Sequence, residues 1–310
     1  MKPTCSRITG LLLALLGLIA PAQSADDSTS SSIRHSYLVM GGRTAIIGED
    51  GKTMWEYRGG SRDGFVLPNG NVLIAWSDQV EEVTRDKQVV FSYKRGPENT
   101  EIGTTQRLYN GNTLVTELGG RPRLLEVDPQ GKIVVDVPLQ PETDKAHMQT
   151  RMARQMKNGN YLVPHLLAFA VKEYSPAGKV VRVFKTDLEE LGGRKADNWP
   201  FTAIRLDNGN TVVSLTHGNK VVELNPKGEI VWKLTNDDVH GLFQDPCGSQ
   251  RLDNGNTVVG SHAANTGVSM VEVTRERKIV WTSDHPLAAG VHHFQILTTN
   301  GKPEPGIPLK

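Results

Sequence analysis

The chain has 310 residues, 22% of them charged and 37% hydrophobic, with a formal net charge of +1. Both signs are interspersed, so no long basic run points to nucleic acid and no acidic tail points to a basic partner. The length suits a large core, and a repeat array of this size can be one domain.

The first 25 residues read as an export signal. Lys2 and Arg7 supply positive charge, Leu11 to Ala20 is a short apolar run, and small residues follow, with cleavage sites after Ala22, Ser24 or Ala25. The run is too short for a comfortable transmembrane helix, so no stable membrane span is expected. Residues 26–36 are Ser-rich and read as a flexible linker. Cys5 precedes the apolar run and leaves with the signal. Cys247 then remains alone, without an internal disulfide. The expected location is outside the cytoplasm, periplasmic or secreted.

From Tyr37 to Tyr57 three apolar runs are separated by Gly and Asp-Gly, which predicts three strands. The next unit predicts four strands: 64–67, 71–76, 80–84 and 88–93. The first two are joined at Asn69-Gly70, for which a type I′ hairpin is expected. This hairpin recurs. LDNGNTVV appears at Leu206–Val213 and again at Leu252–Val259, with looser copies from Leu67, Leu108 and Met156 and a broken copy, LTTNGK, from Leu297. The Asn residues fall at 69, 110, 158, 208, 254 and 300, in steps of 41, 48, 50, 46 and 46. Such a period means one supersecondary unit used several times.

A second turn also recurs, as EDGK at Glu49, DPQGK at Asp128, SPAGK at Ser175 and NPKGE at Asn225. Pro presets φ and Gly takes the left-handed position. The strand after it often carries an aromatic: Trp55, Phe91, Trp232 and Trp281. This column reads as packing between neighbouring sheets. Five complete four-strand units run from about residue 60 to 283. The N-terminal piece lacks a first strand and the C-terminal piece has only a first strand, so together they make a sixth. The expected fold is all-β: a six-bladed β-propeller of four-stranded antiparallel blades over residues 37–300. The ring closes by pairing the C-terminal strand with the three N-terminal strands. Residues 301–310 read as a C-terminal tail.

If the Asn-Gly hairpins mark the bottom face, eight of the nine histidines fall on or near the top. His147, His240 and His285 lie between blades. His292 and His293 start the last inner strand. His165, His217 and His262 follow second strands. Imidazole suits proton transfer, nucleophilic attack or metal ligation near neutral pH. The catalytic candidates are His292, His293, His240 and His262. The ligand-binding candidates are Arg62, Arg151, His147, His165 and His217, because a guanidinium fork matches an anionic oxygen pair. Arg107, Arg205 and Arg251 lie lower on the inner strands. They either face the channel or pair with Asp and Glu of adjacent blades. Cys247 reads as a buried small hydrophobe. A divalent metal on His240, His262 and His292 is one cofactor alternative. No closely spaced metal motif, nucleophile elbow or P-loop is present.

The Asn-Gly-Asn hairpin, the x-Pro-x-Gly-Lys turn and the Ile-Val-Trp strand resemble two propeller families. ELNPKGEIVW and EVDPQGKIVV resemble the quinoprotein (PQQ-type) repeat. The adjacent Cys pair of the quinoprotein dehydrogenases is absent, so no PQQ cofactor is expected. VHHFQILTTNGK and the internal hairpins resemble the exported bacterial arylsulfotransferases. That resemblance implies a His that accepts a sulfuryl group from a phenolic sulfate and passes it to a phenol. His292 or His293 would be that His, and Arg62 or Arg151 an anion holder. The expected partner is a small anionic, carbohydrate or phenolic ligand, handled by His-mediated transfer or by a His-assembled metal in a lyase or hydrolase. The alternative is a non-catalytic scaffold that binds protein or carbohydrate.

Overall fold

Six four-stranded antiparallel meanders share one plan, and their order along the chain sets the order of blades around the ring. A computed structural model describes residue 1, residues 32–263 and residues 265–310. Apart from Met1, the export-signal reading, with Cys5, lies outside the described residues, as does the linker up to residue 31. Residues Ile33–Lys310 form one compact unit. Blade 1 takes the strands His35–Met40, Thr44–Ile47 and Thr53–Glu56 from the N-terminal side and its inner strand, His293–Thr299, from the other end. That closing pair is antiparallel, with Leu38 opposite Gln295 and Met40 opposite His293. Blades 2 to 6 begin with inner strands Asp63–Val66, Asn99–Arg107, Arg154–Gln155, Asn198–Arg205 and Pro246–Arg251, and each runs outward in chain order. The fold is therefore the six-bladed β-propeller expected from the repeat.

The core lies between blades. Leu38, Met40, Ile46, Trp55 and Tyr57 of blade 1 pack against Val72, Ile74, Trp76 and Val83 of blade 2. The aromatic column works here too. Trp55 Nε1 donates to the Arg85 carbonyl at 3.0 Å and Trp232 Nε1 to the Arg275 carbonyl at 2.7 Å, each crossing to the next blade. The indole buries apolar area and still satisfies its one polar atom.

The Asn-Gly hairpins differ from expectation. Gly70, Gly111, Gly159, Gly209 and Gly255 have φ between 83° and 86°, while the Asn before each stays at negative φ. Gly70 N donates to the Leu67 carbonyl at 2.8 Å, and Asn71 N to Asn69 Oδ1 at 3.0 Å. The turn is thus closed between residues 67 and 70, with Gly as the left-handed bulge residue, because three residues rather than two are spanned between the bonded pair Leu67 and Asn71. Only Asn300-Gly301 has both residues at positive φ, 50° and 79°, in a two-residue hairpin that pairs Thr299 with Lys302.

The second Asn of each hairpin explains the rest of the motif. Asn71, Asn112, Asn160, Asn210 and Asn256 donate side-chain bonds to Glu82, Glu126, Glu173, Glu223 and Glu272, which sit on the third strand of the same blade. The next blade supplies a second partner to each carboxylate: Arg107 to Glu82, Gln155 to Glu126, Arg205 to Glu173, Arg251 to Glu223 and His35 to Glu272. Every seam of this series is locked by one buried or nearly buried Glu held from both sides. Of the two readings of the lower arginines, pairing between blades is the one observed.

The last residues do not trail away. Lys302–Pro303 adds a short strand to blade 1. Arg251 N then donates to the Leu309 carbonyl at 2.9 Å, and Lys310 is 1% exposed. Among the described residues, no helix is long and apolar enough to cross a membrane.

Candidate functional site

A pocket of about 650 Å³, its open mouth included, lies at the end of the inner strands opposite the Asn-Gly hairpins. Arg62, Arg151, His147, His217, His262 and His292 all line it, on walls completed by Trp199, Phe201, Thr216, Asp245 and Cys247. These side chains come from all six blades or the connections between them. Inner strands start at this end, so Arg62, Met152 and His292 just before them and Gly103, Trp199, Phe201 and Cys247 within them line the pocket, while the ends of second strands and the blade-to-blade loops contribute the rest.

Arg151 is the most constrained charge. It is 3% exposed and donates to the main-chain oxygens of Thr150, at 2.8 Å, and of His147. Its guanidinium lies 5.7 Å from the Phe201 ring centroid, within cation–π range. No carboxylate among the described residues makes an ion pair with it. Burial and the neighbouring Arg62 lower its pKa to about 10, so it stays charged at neutral pH. Arg62 differs, because Glu101 Oε2 lies 2.7 Å away. His147 stands 3.6 Å from the same oxygen. His147, and then Arg62 and Arg151, hold the Glu101 carboxyl down at about 2 against its burial.

His262 and His292 stack face to face, with ring centroids 4.6 Å apart. His262 Nδ1 lies 3.2 Å from the Gly290 carbonyl, so this nitrogen carries the proton when the ring is neutral. Burial, His262 and the two arginines push His292 down to about 4. A neutral imidazole is therefore the form present near pH 7.

Elsewhere in the lining Trp199 stacks on His217 at 4.2 Å. His217 has φ 54° and Asp245 φ 56°, in a region costly for residues with a Cβ. Both conformations are held by one carboxylate: Asp245 Oδ1 accepts from His217 N at 2.8 Å and from Thr216 Oγ1. Cys247, 2% exposed, packs with Met152 and Phe201, and burial pushes its thiol well up. It is the buried hydrophobe that the sequence suggested.

Three sequence candidates lie elsewhere. His165 is buried inside blade 4, 3.0 Å from the Tyr174 hydroxyl, and burial lowers its pKa. His240 ends a short turn at φ 55°, is exposed, and is not on the pocket wall. His293 is fully buried beneath the pocket, because consecutive strand residues point in opposite directions and His292 takes the upper position. The set His240, His262 and His292 is thus not assembled. Among the described residues no three His, Cys, Asp or Glu side chains are grouped as metal ligands. Sequence reasoning missed Glu101, Trp199 and Asp245. Asp245 stands just before Pro246 at the start of an inner strand, which was the available signal for it.

The fold and pocket define a six-bladed β-propeller with a histidine- and arginine-lined mouth. Residues 45–278 match the Mal s 1 allergenic protein-like family, and the chain belongs to that family. A crystal structure of a protein of unknown function from Bacteroides caccae is similar, with TM-score 0.74 and 24% identity, covering 84% of this chain and 98% of that one. A virginiamycin B lyase from Staphylococcus aureus with quinupristin has TM-score 0.58 and 13% identity, covering 82% and 85%. The WD40 β-propeller domain of Doa1 has TM-score 0.57 and 10% identity, covering 83% and 80%. At these identities the likeness is one of fold. No curated protein matches.

Proposed function

We propose that this propeller is an exported protein that binds a small aromatic anion, such as an aryl sulfate, in the top-face pocket. The observation that carries this reading is Arg151: a buried guanidinium, without a carboxylate partner, lining an open pocket. Buried charges are normally paired, and a ligand oxyanion would supply the missing partner through the planar fork. The aromatic half of the ligand is matched by Phe201 and by the Trp199–His217 stack. Export rests on the sequence pattern of residues 1–25.

The neutral His292 imidazole favours one chemical step on the same site, and the resemblance to arylsulfotransferases points the same way. Its nitrogen attacks the sulfur of an aryl sulfate. The bond from sulfur to the phenolic oxygen breaks, and the phenolate leaves and is protonated by solvent. The oxygen of a second phenol then attacks the sulfur, the bond from sulfur to the His292 nitrogen breaks, the phenol's proton passes to solvent and the neutral imidazole is regenerated.

Calorimetric titration with 4-nitrophenyl sulfate, 4-nitrophenyl phosphate, benzoate and a uronate tests the binding step. The expected result is a preference for the aryl sulfate, lost in Arg151→Met. Equal, millimolar-or-weaker binding of all four to both proteins would sink the reading. Release of 4-nitrophenol that needs an added phenol and disappears in His292→Ala tests the transfer step.

A further inference from the structure

Beneath the pocket lies a second, closed layer of charge. Asp63 is fully buried and its carboxylate takes two bonds from Arg154, at 2.8 and 2.9 Å. Thr104 Oγ1 and Thr105 N donate to it as well, at 2.7 and 3.1 Å. Lys310 enters this layer from the chain's last segment. Its Nζ donates to the Gly64 carbonyl at 2.7 Å, stands 3.6 Å from Asp63 Oδ1 and 3.4 Å from His293 Nδ1, and lies over the Phe65 ring at 3.9 Å. The Lys310 main-chain oxygen accepts from Arg154 Nε at 2.9 Å.

Two dipeptides join this layer to the pocket. Arg62 lines the pocket and Asp63 lies below. His292 lines the pocket and His293 lies below. Each pair has one peptide bond between a pocket-lining residue and a Lys310 contact. The backbone here has no slack: a Cβ on Gly64 would collide with the Leu73 carbonyl oxygen. His292 N is itself tied to the Met40 carbonyl at 2.7 Å. A shift of Asp63 or His293 therefore moves Arg62 or His292.

We propose that Lys310 is a positioning residue for the top-face pocket: docked on Asp63, Gly64 and His293, it fixes the two dipeptides that carry Arg62 and His292. The segment 302–310 thereby acts as a strut driven into the channel from the hairpin end. Its effect on anion affinity rests on the pocket reading proposed above, whereas its effect on His292 does not.

The test uses the full chain with Lys310→Met and Lys310→Arg, and Lys185→Met as an exposed control. Titration with 4-nitrophenyl sulfate is expected to weaken at least tenfold in Lys310→Met and to stay unchanged in the control. Imidazole NMR is expected to show the His292 resonance displaced, with its titration midpoint moved toward that of free histidine, while exposed His240 is unmoved. A purely stabilising lysine would lower the melting temperature and leave the His292 midpoint where it is, which overturns the proposal. Should Lys310→Met fail to fold, Lys310→Arg keeps the charge and displaces its head, and an unmoved His292 there has the same consequence. Should the native protein not bind the sulfate, the anion reading falls, and the His292 spectra still decide the role of Lys310.

Discussion

Arg151 at the top of the inner strands and the arginines near the hairpin end have different fates. Near the hairpin end, Arg107, Arg205 and Arg251 each reach the Glu of the preceding blade, with closest approaches of 2.6, 3.4 and 3.0 Å. At the top, Arg151 is more deeply buried than any of these and has only main-chain oxygens as partners. The same residue type is structural where the repeat supplies a carboxylate on the facing strand, and available where it does not. The difference sets Arg151 of the pocket apart from the arginines that lock the seams.

The largest effect expected from breaking this division is at the closed layer. Asp63→Asn leaves Arg154 as a buried cation without a counter-charge and removes the carboxylate that keeps Lys310, already pushed down to about 7 by burial, protonated; it should cost about 3–5 kcal/mol in denaturant unfolding. The sign with pH follows from the carboxyl being held below its unfolded value by Arg154, Lys310 and His293 despite strong desolvation. Its stabilisation is present above about pH 4 and is lost as pH falls through the acid range. An Asp63→Asn protein as stable as the native one would show that the layer is not held by charge.

His292 gives the next effect. Its pKa in the fold is about 4, below the ordinary value of 6.5, so the unfolded chain binds more protons between these values. Stability should therefore rise with pH through this window by about 3 kcal/mol in total. His292→Gln should flatten the profile there. An anion in the pocket should raise the pKa, so aryl sulfate binding should tighten as pH falls toward 5.

Two substitutions set the arginines side by side. Arg151→Met should weaken aryl sulfate binding by about 1.5–3 kcal/mol, the range for hydrogen bonds to a charged group. Arg205→Met should leave binding unchanged and lower stability by about 1 kcal/mol, since its pair is partly exposed. If both lose binding alike, the distinction between the two ends fails. The smallest expected effect runs the other way. Glu101→Gln frees Arg62 from its ion pair and should improve anion affinity by roughly two- to fivefold.

The repeat made blade number, strand order and ring closure legible, because each blade repeats one local pattern of turn and alternation and needs no distant partner to be recognised. The one-sided placement of the histidines followed from the same map, and it brought His147, His217, His262 and His292 to the lining of one pocket. The turn type was not legible. Asn-Gly is compatible with both a two-residue turn and a bulged one, and the register of the flanking strands decides between them. Nor was the choice between His292 and His293, because one step along a strand reverses the side chain and the reversal depends on pairing with Met40.

By itself, then, the sequence determined the propeller, its phase and the end where most of the histidines gather, since these depend on periodicity along the chain. Only the tertiary structure decided which arginines are spent on neighbouring carboxylates, that Glu101 and Asp245 belong to the site, and that Lys310 returns to the channel. Those outcomes depend on what faces each side chain across a seam or along the axis. Partners more than two hundred residues apart, such as Lys310 and Gly64, leave no mark in any local pattern.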